Sequence, residues 1–201
     1  MNIVYILDMV GTATFAISGA LTAAEKKFDL LGILFIGFVT AVGGGTIRDL
    51  LLGNYPVFWV TDLNYFLVIF ISGLITFLFI KLVKQYNKIL LFPDAIGLGV
   101  FTIIGIKKSL IFNIHFPGSI MMGVSTAVMG GVIRDVLTNR VPLIMRKEIY
   151  ATACIAGGIV YYILAKCSFQ NLYIYLISAA TVSFVRIMAI KYNLYLPSRK
   201  L

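Results

Sequence analysis

Histidine is almost missing from this chain: His115 is the only one in 201 residues, and it stands in a loop beside Pro117. A histidine-based acid–base dyad or a histidine-rich zinc site therefore has nothing to be built from, and a surface position is the plain reading of His115. Cysteine occurs only as Cys154 and Cys167, thirteen residues apart, without metal-ligand spacing, which predicts packing residues. Charged residues make up 12% of the chain, with only 8 acidic side chains against 17 lysines and arginines. No nucleophile–base pair, metal cluster or phosphate loop is visible, so an enzyme is disfavoured and no cofactor is expected. The run Gly43-Gly44-Gly45 followed by Arg48-Asp49 lacks both the spacing and the preceding strand of a dinucleotide fingerprint.

What is abundant is apolar surface. At 60% hydrophobic residues and a mean hydropathy of +0.98, the chain exceeds the apolar share of a soluble domain. Its apolar stretches are long enough to cross a bilayer, and their continuity excludes a transmembrane barrel. The fold class this predicts is all-α and membrane-integral. Seven spans can be drawn: 3–22, 30–53, 63–83, 92–106, 118–137, 149–165 and 172–190. Lys107 and Lys108 predict that the fourth span ends there and continues irregularly toward His115. The N-terminus has no basic segment and no clear cleavage site, so the first span is expected to stay in place.

Basic residues sort by side. The loops that share the side of the C-terminus hold Lys26, Lys27, Lys81, Lys84, Lys88, Arg140, Arg146, Lys147, Lys191, Arg199 and Lys200; the other side offers Lys107, Lys108 and Lys166. The positive-inside rule then predicts a cytoplasmic C-terminus and an external N-terminus in a bacterial inner membrane. The same loops are short and scattered, which argues against nucleic acid as a partner.

The chain also repeats itself. Thr40-Ala41-Val42-Gly43-Gly44-Gly45-Thr46-Ile47-Arg48-Asp49 returns, shifted by 86 positions, as Thr126-Ala127-Val128-Met129-Gly130-Gly131-Val132-Ile133-Arg134-Asp135. With the same shift Asp8 falls on Asp94, Gly11 on Gly97, Phe15 on Phe101, Gly19 on Gly105 and Pro56 on Pro142; about a third of the positions from Asp8 to Pro56 are identical. Three spans per copy is an odd number, so the second copy enters the membrane from the opposite face. The halves are inverted, and equivalent elements meet near the bilayer midplane. This divides the chain into 1–86, 87–168 and an unduplicated segment 169–201 holding the seventh span and a basic tail.

Glycine costs about 1 kcal/mol relative to alanine inside a helix. Gly43, Gly44 and Gly45 in the second span, and Gly130 and Gly131 in the fifth, therefore predict kinks or breaks whose freed backbone groups face protein or water. The competing reading is that small residues let two helices approach closely. Arg48 and Arg134 are too costly to leave unpaired in hydrocarbon, at least about 2.5–3.5 kcal/mol each. Adjacent helical positions diverge by about 100°, so Asp49 and Asp135 are poor partners for them. Matched depth predicts the pairs Asp8–Arg48 and Asp94–Arg134 instead, flanking a pore or site, with Asp49 and Asp135 held at the N-termini of half-helices. Purely structural ion pairs remain the alternative. Arg186, in the seventh span, is expected either to meet Asp49 or Asp135 or to snorkel to the interface. Hydroxyls at Thr12, Thr14, Ser18, Thr40, Thr46, Ser125 and Thr126 offer a wet path; only Thr40 and Thr126 recur in both halves.

The doubled Gly-Gly-x-x-Arg-Asp motif and the three-plus-three-plus-one span count resemble the prokaryotic members of the trimeric intracellular cation channel (TRIC) family, which also carries the label glycine transporter. The resemblance covers roughly Ile3 to Ile190. It implies a homotrimer with one pore per protomer near the second and fifth helices, and passive, potassium-favouring conduction of monovalent cations. The alternative is a secondary transporter for a small zwitterion such as glycine, to which inverted repeats are equally suited. One departure is Met129, which stands where the first copy has Gly43.

Overall fold

The computed structural model describes residues 3–83 and 91–195. The boundary between the repeats at 86/87 and the basic residues Lys84, Lys88, Arg199 and Lys200 lie outside them. In the described residues seven α-helices follow one another: α1 (Ile3–Glu25), α2 (Leu30–Leu52), α3 (Leu63–Val83), α4 (Leu91–Ile111), α5 (Phe116–Leu137), α6 (Ala151–Lys166) and α7 (Asn171–Tyr192), with a short 3-10 turn at Leu143–Met145. Among the described residues the only β pairing is an isolated bridge between Glu148 and Tyr195.

Four helices, α1, α2, α5 and α7, are long and apolar enough to cross a membrane; α3 adds the apolar stretch Leu63–Phe79 and α6 a shorter apolar helix. The fourth helix is interrupted in apolarity by Asp94, Lys107 and Lys108, yet it does not stop at Ile106 as the lysines predict. It runs on to Ile111, with both lysines inside it.

Local chemistry sets the helix ends, and the repeat shows there too. The Asp29 carboxylate caps α2 by accepting from the Gly32 amide at 2.7 Å. His115, its repeat-mate, holds the corresponding position before α5, where Pro117 sits in the first turn. After the two helices, Gly53 and its mate Asn139 adopt the left-handed conformation at φ 66° and 52°.

The halves pack reciprocally. A Cβ at Gly19 would strike Thr40 and Gly37 on α2, and one at Gly105 would strike Thr126 and Gly123 on α5. Gly11 lies against Phe101 as Gly97 lies against Phe15, and the two phenylalanine rings meet at 5.0 Å. Contacts that exchange under the 86-residue shift place a pseudo-two-fold axis between Phe15 and Phe101. The helix without a mate, α7, lies on α4 and α6, where Gly99 admits Ala179 and Ser183 and Gly157 admits Val182. With Phe15, Leu98, Phe101, Val128 and Val182, these contacts form the main core.

Candidate functional site: two buried Arg-Asp clusters around a helix crossing

The glycine runs do not break their helices. Both α2 and α5 continue as regular α-helix through Gly43–Gly45 and Gly130–Gly131. What the glycines provide is proximity. A Cβ at Gly44 would overlap the Thr126 carbonyl oxygen, one at Gly130 would overlap the Thr40 carbonyl oxygen, and Gly43 faces Gly130 and Ile133. The backbones of α2 and α5 touch at this crossing, so the close-approach reading of the small residues holds and the predicted interruption does not. Thr40 and Thr126 are buried here. Each hydroxyl donates to the carbonyl one turn back in its own helix, Ile36 at 2.6 Å and Met122 at 2.7 Å.

The last glycine of each run has a different neighbour. Gly45 lies under the Phe58 ring, and Gly131 under the Tyr150 hydroxyl. Both aromatic residues come from the segments that follow α2 and α5.

A charged cluster stands on either side of the crossing. Toward the face that holds the N-terminus, Arg48 and Asp49 are almost fully buried. Arg48 donates from Nε to Asp49 Oδ1 at 2.8 Å and lies over the Phe58 ring, its guanidinium carbon 5.3 Å from the centroid. The expected Asp8–Arg48 pair is not formed. Asp8 accepts instead from the Tyr65 hydroxyl at 2.8 Å, and its other oxygen is buried without a partner among the described residues. The fourth member was missed from the sequence: Lys108 reaches both oxygens of Asp49, at 2.8 and 3.0 Å. The signal available was its place on α4 one repeat away from Thr22, but lysine at a supposed helix end reads first as an interface anchor.

Toward the face that holds the C-terminus, Arg134 donates from Nη1 to Asp94 at 2.6 Å, forming the pair that depth matching predicts. The same nitrogen donates to Ser18 at 2.7 Å, and Nε donates to Asp135 at 2.9 Å. In both copies, therefore, the arginine does bond the aspartate that follows it. Its long side chain curls back across the 100° that separates neighbouring Cβ atoms.

Asp49 and Asp135 are not at half-helix N-termini. Each lies near the end of an unbroken helix and accepts from the loop beyond it: Asp49 from the Phe58 amide at 3.2 Å and the Asn54 side chain at 3.3 Å, Asp135 from the Leu143 amide at 3.1 Å. The two aspartates thus fold the loops carrying Pro56 and Pro142 back over the clusters.

Arg186 neither snorkels nor meets Asp49 or Asp135. It is buried, pairs with Glu148, donates to the Ile149 carbonyl at 3.1 Å and stacks on Tyr150. Glu148 had no role in the sequence reading because it lies in a loop. Cys154 is buried as expected of a packing residue, whereas Cys167 is exposed at the end of α6. His115 is exposed as well. In the loop before α3, the Tyr5 hydroxyl donates to Asp62 at 2.7 Å and holds that carboxyl below the usual carboxylate range.

Between the clusters one face of α1 carries Asp8, Thr12, Phe15, Ser18 and Thr22 in sequence from one end to the other. At the C-terminal face it opens into a cleft of about 220 Å³ walled by Ser18, Thr22, Glu25, Arg134, Asp135 and Arg140.

A family model described as Glycine transporter matches residues 5–81 and matches again at 91–166, once for each half of this arrangement. The chain belongs to that family. An UPF0126 membrane protein of Vibrio cholerae is 43% identical over 98% of this chain and 83% of its own length. The UPF0126 inner membrane protein YadS of Escherichia coli is also 43% identical, over 98% of this chain and 96% of its own. Among solved structures, the TRIC trimeric intracellular cation channel orthologue from Rhodobacter sphaeroides superposes with a TM-score of 0.91 at 35% identity, covering 96% of this chain and all of that one. A second, described under the structural basis for conductance through TRIC cation channels, superposes at 0.87 with 39% identity over 98% of this chain and 97% of that one. The TRIC resemblance read from the doubled motif and the all-α, seven-helix membrane fold read from hydropathy are thereby shown.

Proposed function

We propose that this protein is a cation channel, selective for monovalent ions with potassium preferred, assembled as a homotrimer with a separate pore in each protomer. The observation that carries the reading is the pair of buried Arg-Asp clusters at opposite ends of one helix crossing, joined by the polar face of α1. Ionised side chains this deep in an apolar protein are costly unless they are paired or serve a hydrated path. The likeness to solved TRIC cation channels supports the same class of activity.

In this reading ions enter past Asp8 and Asp49 and leave through the cleft at Asp135. The carbonyl contacts of Gly44 and Gly130, with Phe15 and Phe101, close the passage between them. Opening is a separation of α2 from α5 along the glycine faces, with Gly43, Gly44 and Gly130 as the surfaces that slide, while Gly45 and Gly131 give room to Phe58 and Tyr150 beside them. Lys108 blocks the entrance with a tethered ammonium on Asp49. The C-terminal face lies in the cytoplasm and the N-terminal face outside the inner membrane, a reading that the excess of basic residues in the C-terminal-side loops supports.

Purified protein in planar bilayers tests the function. Unitary currents reversing near the potassium equilibrium potential are the expected result. The description of the matching family model favours a second reading, a carrier for glycine; saturable glycine flux without unitary currents would establish that instead.

A further inference from the structure

The turn between α5 and α6 points apolar side chains outward. Leu143 is buried, but Val141 and Met145 on either side of it are 60% and 72% exposed, and Ile144 is exposed between them. Two exposed cations follow directly, Arg146 and Lys147. Arg146 folds its Nε onto the Val141 carbonyl at 3.0 Å, and neither cation forms an ion pair among the described residues.

The height of this turn is fixed from both ends. The Leu143 amide bonds Asp135, two residues before the end of α5, and Glu148 pairs with Arg186, six residues before the end of α7. At 1.5 Å per residue those anchors lie about 3 and 9 Å inside the helix ends, so the turn lies level with the membrane surface rather than above it. Its repeat-mate on the N-terminal face carries a different set. Under the 86-residue shift Val141, Ile144 and Met145 fall on Tyr55, Phe58 and Trp59, whereas Arg146 and Lys147 fall on the uncharged Val60 and Thr61. Aromatic rings suit either membrane interface, but cations beside apolar side chains suit the anionic one.

We infer that residues 141–147 form a seat for anionic phospholipid, with Val141, Ile144 and Met145 entering the acyl boundary and Arg146 and Lys147 taking the phosphates. Both halves of the patch favour that partner: the apolar side chains leave water, and the unpaired cations gain counter-charge. A second copy of the chain fits less well. Each copy carries a net charge of +9, with its basic residues crowded into the loops of this same face, so a neighbour adds cations where an anion is wanted. The seat also ties lipid to the buried cluster, since Leu143 in the middle of the turn bonds Asp135, which accepts from Arg134. A seat of this kind requires no conduction.

The test is lipid quenching of a bimane label on Met145→Cys, in the full chain with Cys167→Ser, reconstituted into phosphatidylcholine vesicles. Brominated phosphatidylglycerol or brominated phosphatidylcholine is titrated into the bilayer. Both lipids should quench the label, and phosphatidylglycerol should reach half of its maximal quenching at a mole fraction at least about fivefold lower. Arg146→Gln combined with Lys147→Gln should abolish that preference and keep the quenching. Should the combined variant not fold, high salt should narrow the preference in the labelled parent by screening the same cations. Quenching by neither lipid overturns the seat, and a label that is then still shielded from water assigns the patch to a neighbouring copy. Equal quenching by the two lipids, or a preference that survives the glutamine substitutions or high salt, overturns the anionic partner.

Discussion

At the scale of single residues, glycines that look alike in the repeat do different work. Gly44 and Gly130 touch main chain across the α2–α5 crossing, where nothing can move aside, whereas Gly131 faces the hydroxyl end of Tyr150 at 3.0 Å from an added Cβ. Gly44→Ala and Gly130→Ala should therefore each cost about 1–3 kcal/mol by overpacking, and Gly131→Ala clearly less, as read by thermal unfolding in detergent. The two acidic mates also diverge. Asp94 neutralises Arg134 directly, while Asp8 bonds only Tyr65. A double-mutant cycle of Asp94→Ala with Arg134→Ala should show a coupling of about 1–3 kcal/mol. The Asp8→Ala and Arg48→Ala cycle should show much less. Glycine runs were legible from the sequence as special positions, but their meaning was not: conformational weakness and close approach select the same residue type.

At the scale of elements, α4 departs most from what its sequence suggests. Two adjacent lysines in an otherwise apolar stretch predict a helix end, because a charge within lipid is expensive. The helix continues because Asp49, on another element, neutralises Lys108, and Lys107 lies over the Tyr175 ring. Lys108→Met removes the tethered ammonium from Asp49, and single-channel recording should find a higher open probability for cations entering from the N-terminal face. Small residues serve the same packing within the chain, where Ala16 lies on Gly37 and Gly157 on Val182.

At the scale of the whole molecule, the inverted repeat makes both faces of the membrane chemically similar and leaves orientation to the loops. Cys167 supplies a native probe, being exposed at the α6 end on the N-terminal face, while Cys154 is buried. A membrane-impermeant maleimide applied to intact spheroplasts should label the wild type but not Cys167→Ser. Labelling that appears only after lysis would reverse the proposed orientation.

Composition, the 86-residue shift and the span count were enough to establish a duplicated, inverted seven-helix membrane protein, since hydropathy and an odd number of crossings depend on local sequence alone. The Asp94–Arg134 pair was legible for a similar reason, because depth along a helix follows from residue count. Tertiary structure decided which charges touch: whether Arg48 turns to Asp8 or Asp49, that Lys108 crosses to Asp49, that Glu148 holds Arg186, and that the glycines join helices rather than break them. Those contacts depend on side-chain reach and on neighbours distant in sequence, and neither is encoded in the order of residues along one segment.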